Sequence, residues 1–150
     1  MANQLVIQNS ITINASPEVV WDALTNPEQT KQYMFGCEAL SDWNVGSPLL
    51  WRGRYEGQEM PFVKGRIVAI APERLLAYTT IDPNSPIADI PENYLTVTYD
   101  LSASTGKTDL TVTQGDYATV ADGERRYQET MYGGGWASIL LAIKMLVEQR

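Results

Sequence analysis

The side chains able to do chemistry in this 150-residue chain are carboxylates, tyrosines, arginines, lysines and a single cysteine. The sequence contains no histidine, so imidazole is missing both as a general base and as a metal ligand. Cys37 has no second cysteine, which excludes an intramolecular disulfide and a cysteine cluster for a metal. We interpret it as a small core residue rather than a reactive thiol. The sequence therefore predicts no cofactor and no metal.

Five carboxylates lie nearest the mouth or interior of the fold that the rest of the sequence predicts. A buried carboxylate would have a raised pKa and would work as a general acid or base. No two of the five stand at a spacing that singles out a catalytic pair, and solvated surface charge is the simpler interpretation for each. The five are Glu38, Asp42, Glu59, Asp116 and Glu129.

A larger group of candidates consists of bulky residues on the apolar faces of predicted elements, together with one glutamine. Two interpretations stay open for them: plain core packing, or the walls of a cavity that holds an apolar ligand. A ligand oxygen would give a tyrosine hydroxyl a partner inside the protein. The glutamine would be a polar anchor or would lie in water at its strand end. The candidate ligand-binding residues are Trp51, Tyr55, Phe62, Tyr78, Tyr99, Gln114, Met131, Tyr132 and Trp136.

Four cations gather on adjoining predicted strands, at Arg52, Arg54, Lys64 and Arg66. They are either outer-face residues paired with nearby acids or a docking surface for an acidic partner. The whole chain carries a formal net charge of -7 at pH 7. Because a polyanion would be repelled on average, the composition predicts no nucleic-acid partner and disfavours an anionic membrane surface.

Periodicity predicts the elements that position these side chains. Alternation predicts a strand over Leu5–Asn14. Ser16 and Pro17 then favour the start of a short helix, and Asn26 followed by Pro27 favours a second one. About six strands follow up to Gln114, interrupted at residues 82–93 by an irregular, proline-rich stretch that is typical of a functional or mobile connection.

The last stretch, residues 127–150, has the apolar recurrence of a long amphipathic helix. Gly133, Gly134 and Gly135 interrupt it, although each glycine inside a helix costs ~1 kcal/mol relative to alanine. They predict a kink, or a close approach of another backbone or a ligand at the end of a cavity. A helix that begins only at Trp136 is the simpler alternative. If Gly134 is helical, its replacement by alanine is expected to raise the melting temperature.

The order of the elements predicts an α+β protein in a single domain over residues 1–150. A strand, two short helices and a meander of strands give a curved antiparallel sheet of six to seven strands. The long C-terminal helix is the element available to cover its apolar face, and a cleft between the two is the default ligand site. The opening MANQLVIQNS lacks the pattern of a signal peptide, and no apolar run has membrane-spanning length. A cytoplasmic location without membrane contact is expected.

Several motifs carry a resemblance to the START-like superfamily, also called SRPBCC, whose members have the helix-grip fold. The opening strand followed by residues 15–21, ASPEVVW, resembles the start of that superfamily. The other motifs are similar to its branch of heat-shock-chaperone ATPase activator homologues. They are Trp43-Asn44-Val45-Gly46, Gly65 followed by Ile70-Ala71-Pro72-Glu73-Arg74-Leu75, Thr108-Asp109-Leu110-Thr111-Val112, and Gly135-Trp136 with Leu140 and Lys144.

The resemblance implies a sheet wrapped around the C-terminal helix, and three kinds of activity. Members of the superfamily bind small hydrophobic molecules in the cavity, act as chaperone partners or catalyse reactions such as polyketide cyclisation. We expect small hydrophobic ligand binding, in a monomer or homodimer. The alternatives are a cyclase- or hydrolase-type enzyme that uses a cavity carboxylate or tyrosine, and a co-chaperone that regulates a heat-shock chaperone ATPase.

Overall fold

The computed structural model describes residues 4–149, which contain one antiparallel sheet of seven strands and four α-helices. The strands follow the order β1-β7-β6-β5-β4-β3-β2 across the sheet. Their bounds are Ile7–Ile13 (β1), Glu38–Ser41 (β2), Pro48–Tyr55 (β3), Gln58–Ala71 (β4), Leu75–Thr80 (β5), Leu95–Ser104 (β6) and Lys107–Gly115 (β7). The predicted α+β class and helix-grip architecture are confirmed.

Two short helices follow β1, as predicted. Helix α1 spans Pro17–Thr25, and the Ser16 side chain caps it by accepting a hydrogen bond from the backbone N–H of Val19. Helix α2 spans Pro27–Thr30, and the Asn26 side chain accepts from the backbone N–H of Glu28 at 3.0 Å. Each cap satisfies a backbone donor that the first helical turn leaves without a partner. The caps therefore fix where the chain leaves β1 and turns.

A row of inward-facing side chains crosses five strands of the sheet. Tyr78 on β5 lies opposite Ile67 on β4 and Val97 on β6, Val97 lies opposite Gln114 on β7, and Gln114 lies opposite Ile7 on β1. Side chains directly opposite one another on antiparallel strands point to the same face. Residues far apart in sequence thus meet on the inner face of the sheet.

The C-terminal stretch is two helices rather than one. Helix α3 spans Gly123–Tyr132 and helix α4 spans Ala137–Glu148, and the pair is bent by 51° at the intervening residues. Gly134 and Gly135 have φ values of 87° and 60°, in the left-handed region that glycine adopts without steric cost. The predicted kink is present. Gly134 is not helical, so the condition under which alanine was expected to raise the melting temperature is not met. Arg150, the predicted end of the helix, lies outside the described residues.

Helix α4 is fixed on β1 and carries the buried stripe of the last stretch. Leu140, Ile143 and Val147 are buried in the core. At the two ends of α4, the backbone N–H of Trp136 donates to Asn9 Oδ1 at 3.0 Å, and Lys144 Nζ donates to the Thr12 carbonyl at 2.8 Å. These contacts hold α4 across the inner face of the sheet.

The irregular connection between β5 and β6 ends in a short 3-10 turn at Pro91–Asn93. Asn93 is buried, and its side chain donates to the Ala88 carbonyl at 2.8 Å and accepts from the backbone N–H of Ala121 at 2.9 Å. One side chain thereby ties this connection to the segment that precedes α3.

No single described helix is long and apolar enough to cross a bilayer, although α3 and α4 taken together reach that length and composition.

Candidate functional site

A cavity of about 530 Å³ lies between the sheet and the bend that joins α3 to α4. We call it the inner cavity. Five of the nine predicted ligand-binding residues line it, and these five come from four strands and the segment before α4. They are Trp51, Phe62, Tyr78, Gln114 and Trp136.

The aromatic residues of the site form a continuous series of ring contacts. The ring centroids of Trp51 and Tyr78 are 6.0 Å apart, those of Tyr78 and Tyr99 are 5.6 Å apart, and those of Tyr99 and Trp136 are 5.9 Å apart. The last two pairs meet edge to face, the arrangement that the aromatic quadrupole favours. Tyr99 is fully buried and does not itself line the cavity. Its ring packs against Tyr78 and Trp136, which do line it.

Two hydrogen bonds inside the core set the polarity of that wall. The Tyr78 and Tyr99 hydroxyls are 2.7 Å apart and bonded to each other, and Trp136 Nε1 donates to Gln114 Oε1 at 2.9 Å. Burial raises the pKa of both tyrosines well above the ordinary value, so their hydroxyls stay neutral. The Gln114 amide nitrogen has no partner among residues 4–149 and lies at the cavity wall, where it can donate to a ligand oxygen.

A β-bulge turns Phe62 into the inner cavity. Trp51 pairs with Val63 and Arg52 pairs with Pro61, so Phe62 is an extra residue between the two pairs. In a regular strand Phe62 and Val63 would face opposite sides, but at a bulge both contribute to the lining. Gly53 makes room for this: a Cβ there would lie 3.3 Å from the Phe62 ring and 3.0 Å from Cys37 Sγ.

Three predicted residues lie outside the cavity and are exposed, at Tyr55, Met131 and Tyr132. Tyr55 is the last residue of β3, beside the turn to β4, and is 62% exposed. Tyr132 ends α3 and is 91% exposed. The helical period that put Tyr132 on the same face as Trp136 does not continue through the 51° bend. The expectation that these three face the space between sheet and helix is therefore wrong.

Nine further residues line the inner cavity and were not among the predicted ligand-binding set. Some share a recognisable signal, since Thr80 and Val97 fall on the inner face of strands with clear alternation. The residues around the exposed Phe35 lie in a loop without any period, and Gly135 lies at the break between the helices. The nine are Met34, Phe35, Cys37, Val63, Thr80, Val97, Thr130, Gly135 and Ile139.

A second, more polar cavity of about 340 Å³ adjoins the first beneath α3. We call it the polar cavity. The two cavities share the side chains at Val63, Thr80, Gln114 and Thr130. Arg126, Glu129 and Asp82 bring charge to the polar cavity, so the site changes from apolar to charged along its length.

None of the five candidate carboxylates lines the inner cavity. Asp116 Oδ1 accepts from the backbone N–H groups of Leu5 and Ala118, each at 2.8 Å, and so serves as a turn cap. Glu129 lines the polar cavity but accepts from Arg125 at 2.7 Å. Within residues 4–149, no Asp or Glu is buried, and no three acidic or cysteine side chains form a group that could hold a metal ion.

The four predicted cations lie on β3 and β4, and two of them have ionic partners. Arg54 lies 3.8 Å from Glu59, and Lys64 pairs with Asp89. For Arg52 and Arg66, the part of the chain that the structure describes contains no carboxylate within 4.0 Å. Lys64 and Arg66 line a groove of about 860 Å³ that also contains Val45, Leu50, Val68 and Tyr94.

The seven-stranded sheet, the two short helices and the C-terminal helices define a START-like protein of the helix-grip class. Residues 14–148 match the family described as Activator of Hsp90 ATPase homolog 1-like protein. Because the match covers most of the chain, the protein belongs to this family, and the predicted resemblance is confirmed. The comparison with curated proteins found no match.

Solved structures agree with this placement. A protein from Cytophaga hutchinsonii is 33% identical, with a TM-score of 0.75 over 99% of this chain and 97% of its own. The Aha1 dimer from Colwellia psychrerythraea is 20% identical, with a TM-score of 0.69 over 95% and 96%. An HSP90 activator from Plasmodium falciparum is 18% identical, with a TM-score of 0.59 over 76% and 74%. The last two share the fold.

Proposed function

We propose that this protein binds a small hydrophobic molecule in the inner cavity. The observation that carries the proposal is the cavity itself, about 530 Å³ in volume and walled by Trp51, Phe62, Tyr78 and Trp136. Binding sites for small molecules commonly have volumes of about 300–1,000 Å³, mostly apolar walls and a few placed polar groups. The free amide nitrogen of Gln114 supplies such a polar group.

A thermal-shift screen of lipids, flavonoids and polyketides tests this function. A ligand that binds only the folded protein adds ~2.7 kcal/mol at a hundred times its dissociation constant, so a true ligand raises the melting temperature measurably. The variant Ile139→Trp places an indole in the cavity and is expected to remove that rise. Leu141→Trp is the matched control, because Leu141 lies on the same helix and is 50% exposed.

The proposal fails if no apolar compound stabilises the wild-type protein. It also fails if a stabilising compound acts equally well on Ile139→Trp and Leu141→Trp, because binding would then occur somewhere else. Both variants are first checked for a cooperative unfolding transition, so that loss of binding is not confused with loss of the fold.

A cyclase- or hydrolase-type activity has weaker support. Such an enzyme needs a proton donor or acceptor against the substrate, and no described carboxylate lines the inner cavity. The Tyr78 hydroxyl is bonded to Tyr99, and burial raises the pKa of Tyr78 well above the ordinary value. The residues at hand therefore favour binding over acid–base catalysis.

A co-chaperone role is the second candidate. The observation that favours it is the groove of about 860 Å³ that Lys64 and Arg66 line. The groove combines apolar residues with Lys64, Arg66 and Asp89. Asp89 pairs with Lys64, so Arg66 is the cation that this groove offers an acidic partner, on a protein whose net charge is -7. Two proteins with this fold are an Aha1 dimer and an HSP90 activator. By analogy, the partner would be a chaperone of the Hsp90 type, bound by a monomer or a homodimer of this chain.

A pull-down with an Hsp90-type chaperone, at low and then at high salt, tests the second candidate. Arg66→Glu is expected to reduce capture, and salt is expected to weaken it, because charge-driven docking between exposed groups is screened. Arg125→Glu on α3 is the control variant, since Arg125 does not line the groove. Capture that is unaffected by both Arg66→Glu and salt would rule out this surface. With either function we propose a cytoplasmic location, and the free thiol of Cys37 is compatible with the reducing conditions there.

A further inference from the structure

Arg126 is the cation that stands beside the proposed ligand site. It lies on α3, is half-buried and lines the polar cavity, which shares the side chains of Gln114 and Thr130 with the inner cavity. Arg126 Nη1 donates to the Ala121 carbonyl at 3.1 Å. This bond anchors one edge of the guanidinium, and the other donors of its planar fork remain available for a partner.

Within residues 4–149, no ion pair neutralises the positive charge of Arg126. Among residues 4–149, no carboxylate lies within 4.0 Å of its nitrogens, whereas the adjacent Arg125 pairs with both Asp122 and Glu129. Glu129 therefore already has a cation. Asp82, the other carboxylate of the polar cavity, accepts from the backbone N–H of Asn84 at 2.8 Å. Among the described residues, Asp82 has no cation within 4.0 Å either, so Arg126 is the cation of this cavity that remains without an ion pair.

We infer that the ligand is an amphipathic anion whose apolar part fills the inner cavity and whose acidic group pairs with Arg126. The inference rests on the proposed binding function. A carboxylate, sulfonate or phosphate presents two oxygens to the guanidinium fork and accepts two parallel hydrogen bonds, a pairing that is both stronger and more directional than one between neutral groups. The Gln114 amide nitrogen lies where the two cavities adjoin and donates to a second oxygen of the same molecule.

Two fluorescent probes of nearly the same shape separate the apolar and the anionic parts of this inference. They are 8-anilinonaphthalene-1-sulfonate and N-phenyl-1-naphthylamine, which lacks the sulfonate. We expect the sulfonate probe to bind the wild-type protein more tightly than the neutral amine. Arg126→Gln is expected to weaken binding of the sulfonate probe by about tenfold, the effect of losing one hydrogen bond between charged groups. The neutral amine is expected to bind Arg126→Gln and wild type equally.

Arg74→Gln is the matched control, since it removes the same charge from an exposed position outside both cavities, and Arg74 has no carboxylate within 4.0 Å among residues 4–149. It is expected to leave the affinities of both probes nearly unchanged, and Arg126→Lys is expected to recover part of the sulfonate binding. If both probes bind with equal affinity, or if Arg74→Gln and Arg126→Gln weaken the sulfonate probe equally, the anionic head group of the ligand is disproved while the binding function stands. The inner cavity is not the binding site if neither probe binds the wild-type protein. The same conclusion follows if Ile139→Trp does not reduce the binding of the probes.

Discussion

The indole of Trp136 donates its N–H to the side-chain oxygen of Gln114 across 2.9 Å, which joins the start of α4 to β7. Trp136 is 7% exposed, so its donor is shielded from water. Gln114 lines both cavities. This contact therefore adds to those that hold α4 over the sheet, and it orients the amide whose nitrogen has no partner among residues 4–149.

Gln114→Leu is expected to destabilise the protein by about 1–3 kcal/mol, because the buried indole N–H loses its acceptor. Urea unfolding of the variant gives the free energy. Gln8→Leu on the exposed face of β1 is the control and is expected to change stability by less than about 0.5 kcal/mol. In the Trp136→Phe background, which has no donor, Gln114→Leu should cost less than in wild type. Equal cost in both backgrounds would contradict the role of the hydrogen bond.

Three buried tyrosines make the fold sensitive to alkali. Burial raises the pKa of Tyr33, Tyr78 and Tyr99 above the ordinary value of 10.0. A group whose pKa is higher in the folded state contributes stability that is complete below the unfolded pKa and is lost as pH rises toward the folded pKa. We therefore expect the free energy of unfolding to fall as pH rises above about 10.

An ultraviolet titration of tyrosinate checks this sign. The three buried tyrosines are expected to ionise only together with unfolding. Tyr78→Phe combined with Tyr99→Phe should reduce the pH dependence of stability above pH 10, because two of the shifted groups are gone. Reversible ionisation of Tyr33, Tyr78 and Tyr99 near pH 10 in a protein that stays folded would disprove the burial argument.

The alternation of β6 and β7 was sufficient to predict which side chains face inward. Leu95, Val97, Tyr99 and Leu101 are all buried, because a strand with one wet face must place every second residue in the core. The helix caps at Ser16 and Asn26 were equally local signals. Features of the fold whose physical cause lies within one short segment, such as these caps and alternating strands, could be predicted from the sequence.

The cavity lining depended on contacts between segments and was predicted only in part. Phe62 faces inward through a bulge that the register between β3 and β4 determines. Met131 and Tyr132 face outward because the chain bends by 51° at the glycines, and that angle depends on how Gly135 packs against β1. Arg126 gave no signal in the sequence, since its lack of a counter-charge follows from Arg125 taking the nearby acids.

The three glycines at the bend are expected to respond differently to alanine. Gly133 has a φ of -78° and a Cβ there would have only ordinary contacts at 3.6 Å, so Gly133→Ala should be neutral or stabilising by about 0.4–1 kcal/mol. Gly134 has open space around it but a φ of 87°, so alanine should cost about 1–2 kcal/mol.

Gly135→Ala is expected to be the most damaging, at about 2–4 kcal/mol, because strain and overlap add. Its φ is 60°, and a Cβ would lie 2.6 Å from Asn9 Oδ1 and 2.9 Å from Ile7 Cγ2. Asn9 Oδ1 is also the acceptor for the backbone N–H of Trp136. Thermal unfolding ranks the three variants, and equal melting temperatures for all three would mean that the bend is a loose loop.

Cys37 lines the inner cavity, so the rate at which its thiol is alkylated measures access to that cavity. The thiol is 3% exposed, lines the cavity, and has its pKa raised above 9.0 by burial. Since the thiolate is the reactive form, iodoacetamide should alkylate folded Cys37 more slowly than the unfolded chain. The rate should keep increasing as pH rises past 9.0.

Occupation of the cavity should protect Cys37 further. N-phenyl-1-naphthylamine is expected to slow alkylation in the wild-type protein, and Ile139→Trp is expected to slow it without any ligand, because both reduce the space beside the thiol. Leu141→Trp should react at the wild-type rate. Mass spectrometry of the alkylated protein over time gives each rate. Alkylation that proceeds equally fast in the wild-type protein, in Ile139→Trp and with the probe bound would mean that the reagent reaches Cys37 by local unfolding rather than through the cavity.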